Sequence, residues 1–395
     1  MRDFLEKHIL RPRFVLFFYT LLVIVASVHD WSQPGPFRNG AQHTHYNNYV
    51  IFTNASEHLL EGKDLYVHYP TEQNDLYKYS PVFALFMWPF SLLPDVVGLS
   101  LWNLLNALVL VFALLKIQIF TERQRSFIAL LLVFDILTAC QNAQTNAMVA
   151  GLGLMAYNSV VSRSSGSFSV SVASNFAIKI YGVIFGFVCL FRERWLRSSL
   201  YTMLVILFAL AVPYFLFPSE YVSGQYSRWL HLMSNDQSAS EGRSVMGIFE
   251  SWFGLSLPKT LTLIASFLPY PLMLLFRPRF QDSRLLLNLL ASLLIWIVIF
   301  NHKAESNTYV ISMTGVFLWF FLKQKRLWYH YVLLVWCFVL VSLSPTDLFP
   351  QSINRALVQP YSLKALPSLF VWLLSIYELI AASGFCLRPQ LTLAR

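Results

Sequence analysis

Residues 168–191 read FSVSVASNFAIKIYGVIFGFVCLF and are followed at once by Arg192, Glu193, Arg194 and Arg197. A helix crossing a hydrocarbon layer about 30 Å thick needs about 20 apolar residues, so the run is long enough to cross once. A single crossing leaves Lys179 in mid-membrane, at about 2.5 to 3.5 kcal/mol. It also puts the arginines that follow on the side opposite to every other basic loop. A break at Lys179 removes both conflicts. Two short helices then meet at an outward-facing tip that carries the lysine.

Outward from this stretch, apolar runs of similar quality lie at 14–28, 98–115, 126–140, 146–161, 200–217, 257–276, 285–300, 308–322, 327–343 and 366–387. With the broken pair they make about twelve crossings, which predicts an all-α polytopic membrane bundle, one domain over 1–395. Charged residues are 12% of the 395, against about 25% in a soluble domain, which excludes a soluble globular enzyme. The net charge of +9 does not form a nucleic-acid patch, because the basic residues sit in short clusters between apolar runs. Arg2, Lys7, Arg11 and Arg13 open the chain, and Arg123 with Arg125, Arg277 with Arg279, and Lys323 with Lys325 follow. Clusters at membrane exits mark the cytoplasmic face, which takes both termini. The four cysteines show no C-x-x-C spacing and read as buried thiols.

Polar sequence on the other face is concentrated in 29–80 and 218–256, so the chemistry is expected there. Within a first outer region, 29–97, residues 49–60 carry apolar side chains at helical spacing and Gly62 supplies a stop. They predict an amphipathic helix lying on the membrane. Residues 81–93 are too short to span and predict a half-inserted interfacial helix with Trp88 at headgroup depth. The run at 14–28 reads as a span, with no cleaved leader required.

Threaded this way, four polar groups gather at the outer ends of separate helices. The first is His43-Thr44-His45-Tyr46-Asn47-Asn48, where His45 is a titratable base and the amides suit sugar hydroxyls. Its H-x-H pair lacks a third metal ligand at a motif spacing. The second is Gln141-Asn142-Ala143-Gln144-Thr145-Asn146, four amides in one turn with Asp135 buried shortly before, as in the wall of a polar cavity. Lys179 is the third, a cation placed for a phosphate or diphosphate. The fourth, Asn301-His302-Lys303-Ala304-Glu305-Ser306-Asn307, joins an acid, a base and a cation within one turn. Interfacial loops, helix caps and a snorkelling lysine produce similar patterns.

The string 51–66, IFTNASEHLLEGKDLY, resembles the Y-x-A-x-x-L-L-x-G-x-x-x-Y segment of the polyprenyl-phosphate-sugar-dependent glycosyltransferases of family 87, in the C-type superfamily. Tyr79-Ser80-Pro81-Val82-Phe83 resembles their Y-P-P-x-F element, Gln141-Asn142 through Asn146 their Q-N-x-x-x-N turn, and Ala177-Ile178-Lys179 their A-x-K break. The likeness covers roughly 47–195. It implies a membrane transferase that takes a mannose-like hexose or a pentose from a polyprenyl-phosphate donor and gives it to a lipid-linked or glycan acceptor outside the cytoplasm. One departure stands out: Asn48 occupies the place of the family's proposed aspartate base, and an amide cannot take a proton from a hydroxyl.

The candidate base is then His45, Asp30 or Glu305, with His45 and Glu305 the choice. Lys179 is expected to hold the leaving phosphate, with His302 and Lys303 assisting it. Asn48, Lys78, Tyr79, Gln141 and Asn142 are expected to line the sugar pocket. No cofactor or metal is expected, and nucleotide-sugar motifs are missing. The partners are the lipid-linked donor, the acceptor and membrane lipids, in a bacterial inner membrane. Two rival readings remain: a secondary transporter or flippase, which broken helices also suit, and an inactive scaffold that binds lipid-linked sugar.

Overall fold

The computed structural model describes residues 9–38, 41–235 and 242–383. In chain order the helices are α1 (Pro12–Ser32), α2 (Asn47–Leu60), α3 (Pro81–Ser91), α4 (Asp95–Leu115), α5 (Glu122–Leu131), α6 (Val133–Gln141), α7 (Asn146–Val161) and α8 (Ser165–Ile178). Then come α9 (Trp195–Leu216), α10 (Ser219–Asn235), α11 (Val245–Phe253), α12 (Lys259–Phe267), α13 (Ser283–Ile299), α14 (Tyr309–Leu322), α15 (Trp328–Cys337) and α16 (Ala365–Ser383). The strands among the described residues are a two-residue antiparallel pair, Phe37–Arg38 with Ala41–Gln42.

The helical membrane class holds, while twelve full-length crossings do not emerge from helix length alone. Five helices are long and apolar enough to cross: Pro12–Ser32, Asp95–Leu115, Trp195–Leu216, Lys259–Gln281 and Ala365–Ala382. The bent pair α5 and α6, turned by 46° at Leu132, makes a sixth. Six further apolar helices are shorter, including α3, α7 and α13. At 1.5 Å per residue a 17-residue helix reaches about 26 Å, short of the hydrocarbon thickness. The apolar sequence continues past these ends in tighter or looser turns. Ile180–Phe191 is a 3₁₀ helix, and Trp328–Cys337 passes into a π turn over Phe338–Leu343.

The break in 168–191 falls where the sequence places it. Lys179 is extended (φ −141°, ψ 119°) between α8 and the 3₁₀ helix. Gly182 lets the chain fold back, because a Cβ there would stand 2.7 Å from Asn175 Oδ1. The carbonyl of Ala177, left without a helical partner, accepts a hydrogen bond from Ser80 Oγ. Ser80 Oγ also accepts from the backbone N–H of Phe83, so one hydroxyl caps α3 and ties it to α8.

Helix α2 differs from expectation. Of its residues only Glu57 and Leu60 are exposed. Phe52 packs edge-on against Tyr79, Phe83 and Trp102, at centroid distances of 4.9, 5.2 and 5.7 Å. The helix is therefore seated among α3 and α4 by aromatic packing on more than its apolar stripe. Gly62 ends it as foreseen, in the left-handed region (φ 72°), with Lys63 N–H donating to His58 O.

The two ends of the bundle are chemically distinct. At one end meet the basic loops: Arg11 pairs with Glu122 at 3.4 Å, Arg192 donates to Gln281 O and Ser283 Oγ, and Lys323 pairs with Glu378. At the other end meet the polar groups of the next section. Cys140, Cys189 and Cys337 are buried free thiols; Cys386 lies outside the described residues.

Candidate active site

The turn between α6 and α7 organises the site. Ala143 takes a left-handed conformation (φ 48°), its N–H donating to Cys140 O while Gln144 N–H reaches Ala139 O. This is a Schellman stop, and an alanine is held there despite the steric penalty because Trp102 Nε1 donates to its carbonyl at 2.9 Å. The stop fixes the amides on either side. Asn48 Nδ2 donates to Asn142 O at 2.9 Å, and Tyr79 OH donates to Gln144 Oε1 at 3.3 Å.

From Asn146 a continuous polar line crosses the outer end. Lys179 Nζ donates to Asn146 Oδ1 at 2.7 Å, Asn146 Nδ2 to Asn307 Oδ1 at 3.0 Å, and Asn307 Nδ2 to Glu305 Oε2 at 3.0 Å. The sequence segments 146, 179 and 305–307 are thereby joined through neutral amides. Lys179 Nζ also lies 5.9 Å from the Tyr79 ring centroid and 5.7 Å from that of Tyr181. No described carboxylate pairs with it directly. Burial pushes its ammonium down to about 8, opposed by the Glu305 carboxylate. Burial above all, with Glu305 adding to it, raises the Tyr79 phenol, which therefore acts as a donor.

The other expected residues are scattered around this line. His45 is exposed and within electrostatic reach of Asp30, whose carboxylate is 3.7 Å from His29 Nδ1. Lys78 Nζ lies 3.4 Å from the Asp75 carboxylate. Gln141 is exposed at the end of α6 and makes no side-chain hydrogen bond among the described residues. His302 and Lys303 lie in the loop that leads into Glu305, where the carbonyl of His302 abuts Gly242 and Lys303 N–H donates to Asn301 Oδ1.

Asn48, expected to stand where the family has an aspartate, is built into the turn. Its amide nitrogen is spent on a carbonyl, a contact that a carboxylate cannot make. Glu305 carries a structural duty too: its side chain caps the backbone N–H of Thr308 at the entry to α14.

Sequence reasoning missed two pairs of residues. Asn146 and Asn307 were recognised as polar but not as the connectors between Lys179 and Glu305. Arg243 and Lys364 were missed entirely, yet both donate to Ser306 Oγ, Lys364 at 2.9 Å. A lone lysine at the head of the last apolar run was the available signal for Lys364.

The crystal structure of ArnT from Cupriavidus metallidurans bound to undecaprenyl phosphate superposes with a TM-score of 0.48 at 12% identity, over 93% of this chain and 77% of that one. Its apo form gives 0.47 at 11%, over 93% and 76%. No curated protein matches the sequence. The model of glycosyltransferase family 87 matches residues 77–323. That match spans more than half of the sequence and takes in Tyr79, the amide turn, Lys179 and Glu305, so the chain belongs to glycosyltransferase family 87.

Proposed function

We propose that the protein transfers a hexose, mannose-like, or a pentose from a polyprenyl-phosphate donor to a lipid-linked or glycan acceptor. The observation that supports this most directly is the line Lys179, Asn146, Asn307, Glu305, a cation and a carboxylate held by two amides at one end of a membrane bundle. In the displacement, the Glu305 carboxylate takes the proton of the acceptor hydroxyl as its oxygen bonds to the anomeric carbon. The bond from that carbon to the phosphate oxygen breaks, and the phosphate leaves with the electron pair beside the Lys179 ammonium. The anomeric configuration inverts. Asn146 and Asn307 hold the two groups in register, and Tyr79 turns its O–H from Gln144 to a sugar or phosphate oxygen.

Twelve crossings accord with the charge rule, both termini and the basic loops being cytoplasmic and the Lys179 line facing out of a bacterial inner membrane. His45 is the second candidate base, favoured by Asp30 within its electrostatic reach. Membranes containing the protein, incubated with radiolabelled polyprenyl-phosphate mannose, glucose and a pentose, are expected to yield labelled glycan or lipid-linked product with one donor. Movement of intact donor across the membrane without product would favour a flippase. Tight donor binding without turnover would favour the scaffold.

A further inference from the structure

Three outer segments that are remote in sequence meet at one hydroxyl. Arg243, from the segment just before α11, donates through NH1 to Ser306 Oγ. Lys364, directly before α16, donates to the same atom at 2.9 Å and to Val341 O at 3.4 Å. Lys364 is 1% exposed and Arg243 half-buried. Among the described residues neither makes an ion pair. The nearest carboxylates act only at a distance: Glu305 on Arg243, and Asp135, already bonded to Ser342 Oγ at 2.7 Å, on Lys364.

Two cations drawn to one neutral oxygen repel each other, no described carboxylate standing between them, and the low local dielectric increases that cost. Burial first, and Arg243 beside it, push the Lys364 ammonium down to about 7. The arrangement is held firmly. Arg243 N–H donates to Ala304 O at 2.9 Å and its carbonyl accepts from Tyr309 OH, so its backbone is pinned from both sides. Two cations held in place on a shared neutral oxygen, without a described carboxylate paired to either, are preorganised to take an anion.

This cation pair is distinct from the Lys179 position. Lys179 bonds to Asn146, while Arg243 and Lys364 bond to Ser306, and Glu305 exerts its field on both Lys179 and Arg243. A base between two anion positions matches a displacement in which the leaving phosphate stands on one side and the acceptor enters from the other. Building on the transferase reading above, we infer that Arg243, Lys364 and Ser306 bind an anionic group of the acceptor substrate, a phosphate or a carboxylate, next to the hydroxyl that attacks.

The test uses the full chain in nanodiscs, with undecaprenyl phosphate as the lipid probe and inorganic phosphate as the second anion, read by thermal shift and by binding titration. The inference expects phosphate still to bind when undecaprenyl phosphate is saturating. Lys364→Met and Arg243→Gln should each weaken that second binding by about tenfold or more while keeping the lipid affinity within about twofold. Ser306→Ala, a milder change, should weaken it by a few-fold. Lys179→Met should show the reverse pattern. Monodisperse elution of each variant separates lost binding from lost folding. If saturating lipid abolishes phosphate binding, or if Lys364→Met weakens the lipid instead, the cation pair belongs to the donor and the inference falls. It falls equally if phosphate never binds the wild type. Failure of the lipid itself to bind, with phosphate still bound at Lys364, would count against the donor reading and leave the second site standing.

Discussion

Two sets of cations in the molecule are treated in opposite ways. At the end of the basic loops Lys323 is paired with Glu378, which also accepts from Trp319 Nε1 at 3.0 Å, and Arg11 is paired with Glu122. At the other end Lys179, Arg243 and Lys364 bond, among the described residues, only to amide, hydroxyl and carbonyl oxygens. A paired cation is internally satisfied and contributes to structure. A cation cradled by neutral oxygens keeps most of its field available to an anion from outside. Charge placement along the sequence distinguishes two faces, but only the partner of each charge distinguishes orientation in the membrane from chemistry.

The sharpest way to break this contrast is at the carboxylate. Glu305→Gln should lower turnover by roughly 10² or more, the scale of general-base catalysis, with donor affinity little changed. A small loss there, together with a large one in His45→Ala, would move the base to the pair of His45 and Asp30. Steady-state kinetics with a fixed donor reads both.

The cations come next. Lys179→Met should cost at least about tenfold in kcat/KM, the value of one charge-assisted phosphate contact, at nearly unchanged thermal stability. Lys323→Met should do the opposite. It leaves Glu378 without its cation and should destabilise by roughly 1 to 3 kcal/mol, since the pair is partly exposed, while the folded fraction keeps its specific activity. Equal behaviour of the two variants would erase the distinction between a paired cation and one held by neutral oxygens.

Titration sharpens it further. With Lys179 lowered to about 8, its charge is complete below that pH and lost as pH rises through it. Affinity for undecaprenyl phosphate should then fall by up to about tenfold per pH unit above 8. Lys179→Arg, which keeps its charge, should flatten the decline.

The smallest effect concerns Asn48. Asn48→Asp sets a carboxylate against the Asn142 carbonyl, so it should lower stability by about 1 kcal/mol and raise activity by no more than roughly twofold. A large gain in the mutant would mean that the aspartate is the base this chain has lost.

How far these features were legible in the sequence depended on the range of the forces involved. The break at Lys179 and the stop at Gly62 are local: one follows from a charge inside an apolar run, the other from a residue that accepts positive φ. The amide turn was visible as a cluster of costly polar groups. Its links to Lys179 and Asn307 were not, since they join residues more than 30 and 160 positions apart. Arg243 and Lys364 were hidden for the same reason, their meeting at Ser306 being purely tertiary. The irregular turns after Lys179 and Cys337 escaped as well, because an apolar run constrains burial without specifying how tightly the backbone winds.

Helices α13 and α9 carry similarly apolar sequences and fare differently. In α13 nearly every residue is buried, whereas α9 buries only Ser198, Thr202 and Pro213. Ser198 Oγ donates to Ser165 Oγ, and Thr202 Oγ1 donates to Ser169 Oγ, so α9 is joined to α8 along a single hydroxyl stripe. In a scan of all substitutions, α9 should accept almost any lipid-soluble residue outside that stripe and evolve quickly. By contrast, α13 should tolerate little, because most of its positions are already answered by a neighbour.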